Sequence, residues 1–329
     1  MDLNSSILVT GGAGYIGSKV VKDLINKNFN VIVVDNLSTG YKKLIQKKAI
    51  FYKCNIANKN KISQIIKINN VKTIFHFAAS LNVAESYFKP KKYNLNNYEY
   101  TKRLLDLAQK LDVENFIFSS TCAVYDENLK KVTENSKKKP KSNYGKSKLK
   151  AERYIQSKVK KNFNFAILRY FNVAGADIKN KIGCINQTGQ LVKNLSQNIA
   201  AKNYFIDVYG NNYKTKDGTC IRDYVLLDDI SKIHIASLEY LMKNKKNIIL
   251  NCGYGKGYSV LDVINEANKI CNNSIKHKFT KRRKGDVEKL ISNTNKIQKL
   301  INWEPKYDDL NTIIKSSIMW ERKLNDKIL

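Results

Sequence analysis

The chain has 329 residues, 43% of them hydrophobic and 26% charged, a globular composition that excludes a disordered chain and, at roughly 150 residues per domain, predicts about two domains. The formal net charge of +31 raises nucleic acid as a partner, but only seven of the 59 basic residues are Arg and the lysines are scattered. We therefore read them as a solvated surface that attracts anionic ligands, with no nucleic-acid role. No apolar run approaches the ~18 residues of a membrane helix. The N-terminus lacks the basic and apolar regions of a secretory signal, so no membrane partner and a cytoplasmic location are expected. Six widely spaced cysteines without a C-x-x-C pair read as free thiols, and three isolated histidines, His76, His234 and His277, predict no metal site.

In chain order, a strand is expected at residues 7–10 and a helix at 15–26. Residues 31–34 form a continuous apolar run, as in a parallel strand buried on both faces. A weaker strand follows at 49–52, then a helix at 59–68 and a strand at 73–77. A long helix is predicted over 94–111, a strand over 115–118, a helix over 144–158 and a strand over 165–169. Such repeated units imply an α/β, doubly wound parallel sheet with helices on both faces. After residue 172 the rhythm breaks into loops and one helical stretch, 191–201, before residues 230–241 and 248–250 read as one more helix and strand of the sheet. The expected division is 1–172, with about 221–250 returning to it, as a dinucleotide-binding domain. Residues 173–220 and 251–329 would form a smaller substrate domain closing over the C-terminal ends of the strands.

The segment Gly11-Gly12-Ala13-Gly14-Tyr15-Ile16-Gly17 links the first strand to the first helix and fits G-x-G-x-x-G. Its glycines permit a tight turn and a close approach to a pyrophosphate, and the helix N-terminus supplies N–H groups. Asp35 ends the second strand 18 residues after Gly17, near the ~20 at which an acid meets the adenosine ribose. A carboxylate there repels a 2′-phosphate, so NAD is favoured over NADP. Tyr144 and Lys148, four apart, share a helix face. Tyrosine titrates near ~10, too high for a base at neutral pH. A nearby ammonium and a positive nicotinamide ring would each favour phenolate and depress that value. Ser119, Ser120 and Thr121 end the preceding strand, where their hydroxyls are expected to face the same substrate oxygen.

Longer stretches carry a family likeness: GGAGYIGS at 11–18, VVDNLSTG at 33–40, HFAASLNVAES at 76–86, FSSTCAVY at 118–125, YGKSK at 144–148, LRYFN at 168–172, DGTCIRDY at 217–224, GYSVLDV at 257–263 and RRKGD at 282–286. Over nearly its whole length the chain resembles the extended short-chain dehydrogenase/reductase family, with its Rossmann-type fold, and within it the UDP-glucose 4-epimerases. The resemblance implies an isomerase that uses tightly bound NAD without consuming it. Tyr144 would take the proton of the sugar 4-hydroxyl while hydride leaves C4. Thr121 would hydrogen-bond the 4-oxygen, and Lys148 would hold the nicotinamide ribose and tune Tyr144. The 4-keto sugar would then turn about its phosphate link and take hydride back on the other face.

By the same likeness, NAD would be contacted by Gly11, Gly14, Tyr15, Ile16, Gly17, Asp35, Asn36, Leu37, Ser38, Thr39 and Gly40 in the first half of its site. Asn55, Ile56, Phe77, Ala78, Ala79, Asn96, Thr121, Tyr144, Lys148 and Phe171 would complete it. Asn172, Arg222 and Arg283 would hold the UDP diphosphate, Asp286 the uridine ribose and Tyr209 the uracil ring. Gln190 and Leu191 would line the substrate loop, and Leu290 would stand at the position that gates the sugar pocket against N-acetyl groups. A homodimer paired through the helices at 94–111 and 144–158 is implied as well. The chain departs from the family pattern at Asn55, usually Asp, at Asp126, usually Gly, and at Leu226, usually His. It departs also at Lys193, usually Pro, and at Gln190, usually Asn or His. Other UDP-sugar 4-epimerases (UDP-N-acetylglucosamine, UDP-glucuronate or UDP-xylose) remain as alternatives. A 4,6-dehydratase needs an acid and base directly after Thr121, where Cys122 and Ala123 stand.

Overall fold

The computed structural model describes residues 5–127, 129–158, 162–187, 189–283 and 285–326; Lys284 of the RRKGD segment lies outside them. Seven strands form one sheet: β1 (Ser6–Thr10), β2 (Asn30–Asp35), β3 (Ile50–Lys53), β4 (Val71–His76), β5 (Asn115–Thr121), β6 (Asn164–Tyr170) and β7 (Ile248–Cys252). Their order is β7-β6-β5-β4-β1-β2-β3, and every neighbouring pair is parallel. This is the expected Rossmann-type α/β sheet.

Alternation along the central strands builds two cores. Ile7, Val9, Val31, Val33 and Phe75 face one side and pack on α1 (Tyr15–Asn26) and α6 (Leu227–Asn244), through Val20, Val21, Leu24, Ile230 and Leu238. Leu8, Ile32, Val34, Ile74 and Phe116 face the other side. There they meet Ile62, Ile65 and Ile66 of α2 (Lys59–Ile68), Leu104 and Leu105 of α3 (Tyr100–Lys110), and Ala151 and Ile155 of α4 (Asn143–Ser157). With every central strand buried on both faces, a solvent-facing polar stripe has no place, which is why these strands read as unbroken apolar runs. Each such side chain contributes about 1.5–3 kcal/mol on burial.

Two expectations are corrected. The helix expected over 94–111 is not uniform: Pro90–Asn94 coils as an α-helix, Leu95–Glu99 forms a π-helical turn, and α3 follows. The wider turn brings two successive amides to Ser80. Asn96 Nδ2 donates to Ser80 Oγ at 2.9 Å, and Asn97 accepts from Ser80 N at 2.8 Å and donates to Ser80 O at 3.0 Å. Strand β5 is longer than the stretch 115–118 expected from its apolar residues: it takes in Ser119, Ser120 and Thr121, the hydroxyl cluster expected at its end, all three of them buried.

The second half contributes α5 (Leu191–Ala200), α7 (Val260–Cys271) and α8 (Leu310–Asn325) with small sheets. One joins Tyr258–Ser259, Ile221–Arg222, Lys289–Ser292 and Lys131–Val132. Two parallel pairs join Asn172–Ala174 to Tyr224–Leu226 and Phe205–Tyr209 to Lys276–Thr280. All six cysteines are free thiols. Among the described residues no helix is long and apolar enough to cross a membrane, and no group of His, Cys, Asp and Glu could hold a metal.

Candidate active site

The order of the strands reverses between β1 and β4, where ligands bind in open α/β sheets. The glycine loop sits there. Gly11 has φ +74°, and a Cβ on it would lie 2.7 Å from Ala78 N, so the turn after β1 rests directly on the turn after β4. A Cβ on Gly17 would run into the Gly11 carbonyl. A Cβ on Gly14 would meet only that same carbonyl, at 3.2 Å, which leaves this side of the loop open to a ligand. Asp35 is buried, and its carboxylate accepts from Ala13 N at 3.0 Å and Leu37 N at 2.8 Å. Leu37 itself is left-handed, with φ +60°. The 36–40 turn thereby folds back on the glycine loop, and Tyr41 N donates to Ala13 O. These residues form a cradle that fits a dinucleotide. Ile16, Asn36, Ser38, Thr39, Gly40, Ile56, Phe77, Ala78 and Ala79 are half-buried or exposed around it. Tyr15 is turned away, its hydroxyl donating to Gly175 O at 2.6 Å. Asn55 is exposed, and its Oδ1 accepts from Ala57 N at 2.9 Å.

Tyr144 stands in the first turn of α4. Ser142 Oγ caps that turn by accepting from Gly145 N at 3.0 Å. Gly145 lies against the Ala123 carbonyl, where a Cβ would collide. The Thr121 side chain lies close enough to the Tyr144 phenol to favour its ionised form, and the Tyr144 ring meets Tyr93 edge-on at 6.4 Å. One turn further, Lys148 is buried; its ammonium donates to Ser119 O at 2.7 Å and lies 4.8 Å from the Phe118 ring centroid. So Thr121, Tyr144 and Lys148 come together at the end of β5.

Two expectations fail here. The ammonium is bound to a carbonyl, and burial dominates, pushing the Tyr144 phenol up to about 12 rather than down. Burial also pulls Lys148 down to about 7, against the charge of Glu152. Nor do the three hydroxyls face one point. Successive residues of a strand point to opposite faces, so Ser120 turns away from Thr121 and donates to Glu152 Oε1 at 2.5 Å, while the Ser119 side chain lies beside the Tyr170 phenol.

In the second half of the chain, Arg283 stacks over Tyr209 at 3.7 Å from the ring centroid and donates to Gly189 O at 3.2 Å. Arg222 approaches Asp286 Oδ1 at 3.5 Å. Cys122, beside Thr121, is within electrostatic reach of both Tyr144 and Arg222. Asn172 is half-buried, with its N–H on Asp223 O. Leu290 is buried with Phe171, Val124, Tyr125 and Leu149. Gln190 and Leu191 open α5. Lys193 is buried in that helix, donating to Cys184 O at 2.8 Å and pairing with Glu321 of α8 at 2.6 Å; Trp320 Nε1 donates to the same carbonyl at 3.0 Å. Sequence reasoning passed over Asp223. Its buried carboxylate accepts from Tyr254 N, Gly255 N, Ser292 N and Ser292 Oγ, at 2.6–3.1 Å. It fixes the strand of Arg222 beside that of Leu290. Its only sequence signal is its place directly after Arg222.

This geometry defines a dinucleotide-dependent α/β enzyme. The family described as NAD dependent epimerase/dehydratase matches residues 7–253, and the chain belongs to that family. It is similar to a UDP-glucose 4-epimerase of Lacticaseibacillus casei, 36% identical over 318 residues and 96% of each chain. Among solved structures, the UDP-Glc/GlcNAc 4-epimerase of Campylobacter jejuni is 39% identical, with a TM-score of 0.84 over 97% of this chain and 99% of that one. A UDP-glucose 4-epimerase of Bifidobacterium longum, in complex with NAD+ and UDP, is 29% identical, with a TM-score of 0.90 over 98% and 99%.

Proposed function

We propose that this chain is an NAD-dependent isomerase that interconverts UDP-glucose and UDP-galactose at C4 of the sugar. The observation that carries the reading is the placement of Thr121 at the end of β5 close to the Tyr144 phenol, with Lys148 one turn further along α4 and bound to the Ser119 carbonyl of the same strand end. When bound, NAD supplies the hydride acceptor and donor. Asp35, already held by two backbone N–H groups, presents its carboxylate to the adenosine ribose. Tyr144 Oη removes the 4-hydroxyl proton and later returns one. Thr121 Oγ orients the 4-oxygen, and Lys148 supports the nicotinamide ribose. Asn172, Arg222 and Arg283 hold the diphosphate, with Tyr209 and Asp286 on the uridine, while the 4-keto sugar turns over. Affinity therefore concentrates on the nucleotide, which does not change between substrate and product. Charge-assisted, bidentate Arg contacts suit that anchoring.

Purified protein given UDP-galactose should form UDP-glucose; no conversion by protein that holds NAD would overturn the reading. A second reading, that UDP-N-acetylglucosamine is also accepted, is favoured by the 39% identity to the Campylobacter jejuni UDP-Glc/GlcNAc enzyme. Side-by-side assays on the two nucleotide sugars decide it. We further propose the two-domain division at 1–172 with 221–250 against 173–220 with 251–329. With it go a homodimer paired through residues 94–111 and 144–158 and a cytoplasmic role in galactose metabolism. Light scattering on the purified protein tests the dimer.

A further inference from the structure

Glu152 lies on α4 one turn after Lys148 and is fully buried. Its Oε1 accepts from Ser120 Oγ of β5 at 2.5 Å and from Arg169 Nε of β6 at 2.9 Å, and its Oε2 accepts from Arg169 Nη2 at 2.7 Å. Ser120 and Arg169 are register partners in the sheet. Arg169 Nη1 donates to Tyr125 Oη at 2.9 Å and to Glu134 O at 3.0 Å, and Tyr125 in turn donates to Asn251 Oδ1 at 2.5 Å. Replacing a buried ion pair of this kind by apolar groups is often neutral or stabilising, so fold stability alone gives no reason for it.

The position gives one. Ser120 is flanked by Ser119, whose carbonyl holds the Lys148 ammonium, and by Thr121, whose side chain lies next to the Tyr144 phenol. One carboxylate thus joins the strand end that carries both contacts to the helix that carries both partners. We propose that Glu152 is a positioning residue for the epimerisation, clamping Ser120 to α4 so that the Lys148–Ser119 and Tyr144–Thr121 contacts are held in register. The inference rests on the roles of Tyr144 and Lys148 proposed above. The charged and titratable groups around Lys148 are Glu152 and Tyr144 on its own helix and His76 on β4, which burial keeps neutral. Glu152 is the anion that favours the ammonium form of Lys148.

The test uses Ser120→Ala, which opens the clamp and keeps the ion pair, alongside Glu152→Gln. Misplacement by about 1 Å at such a site can cost 10²-fold in rate. Ser120→Ala should lower kcat for UDP-galactose about tenfold, with KM and UDP affinity within about twofold of the parent. Glu152→Gln should lower kcat by about 10², and the high-pH limb of its kcat profile should move to lower pH, because the Lys148 ammonium loses its counter-charge. A purely structural role would lower the melting temperature and leave the kcat–KM split and the pH profile alone. A folded Ser120→Ala protein with the parent kcat overturns the proposal even if Glu152→Gln fails to fold. Absence of turnover in the parent protein would overturn the functional reading as well, and so separates the two failures.

Discussion

Among the protein's own groups, Tyr144 is held as a phenol. Burial holds it near about 12, and Lys148 spends its ammonium on the Ser119 carbonyl. The protein's own groups therefore favour the protonated form, and the positive nicotinamide ring is the remaining cation that could draw the proton off. Tyr144→Phe should reduce turnover by about 10² or more while UDP affinity stays near the parent value, since a general base is worth that much and the phenol is not placed on the nucleotide. Steady-state kinetics with calorimetry of UDP binding checks it. Asp35, Tyr144 and Lys148 were legible in the sequence because each is marked by a short spacing: glycine loop to acid, or i to i+4. Ser120 was misread although strand alternation alone separates it from Thr121. Glu152 was invisible, because its meaning depends on Arg169, which stands on a different element.

Helix α4 carries both Tyr144 and Lys148, and its first turn is secured by Ser142. Ser142→Ala should lower unfolding stability by about 1 kcal/mol, as for other N-cap losses, and urea denaturation measures it. Tyr144 lies only two residues inside the cap, so the same variant should also lower kcat. At this scale the strands were read well, since residues buried on both faces leave a plain apolar signature at Val31-Ile32-Val33-Val34. The π-helical turn Leu95–Glu99 was not. An apolar stripe drifts too little over five residues to tell a wide turn from an α-helical one, and the features that fix it here, Asn96 and Asn97 against Ser80, come from 16–17 residues away in the chain. The small sheets of the second half were missed because strands of two to five residues carry almost no periodicity.

Across the whole molecule, the net charge of +31 works against compactness through self-repulsion. Raising ionic strength from about 0.01 M to 0.1 M shortens the Debye length from ~30 to ~10 Å. The melting temperature should therefore rise over that range; a fall or a flat response would contradict the argument. Two histidines bury neutral rings in the core. His234 accepts from the Tyr170 hydroxyl at 2.6 Å and donates Nδ1–H to Ile230 O at 2.8 Å, and burial lowers it to about 4. His76, between Thr10 and Thr101, is lowered to about 3 by burial and by the charge of Lys148. Each takes up its proton in the unfolded chain first, near 6.5. Stability is therefore fully present above that pH and falls as pH drops toward the folded values, by at most ~1.4 kcal/mol per unit for each ring. Urea unfolding at about pH 7.5, 6 and 5 should show the decline, and His234→Gln should make it shallower.

The buried meeting of Lys193 and Glu321, with Trp320 on the same Cys184 carbonyl, makes the last long helix an anchor for the loop that leads into Gln190 and Leu191. A premature stop codon shortly before Leu310 would spare all seven strands of the large sheet and the glycine cradle. It would also cast off that loop. Because Leu310, Ile313, Ile314 and Ile318 share one core with Ile7, Val9 and Val33 of the sheet, the shortened polypeptide would also lay that core open to water, so the final turns of the chain are as much a part of the sheet's shelter as the helices that follow each strand.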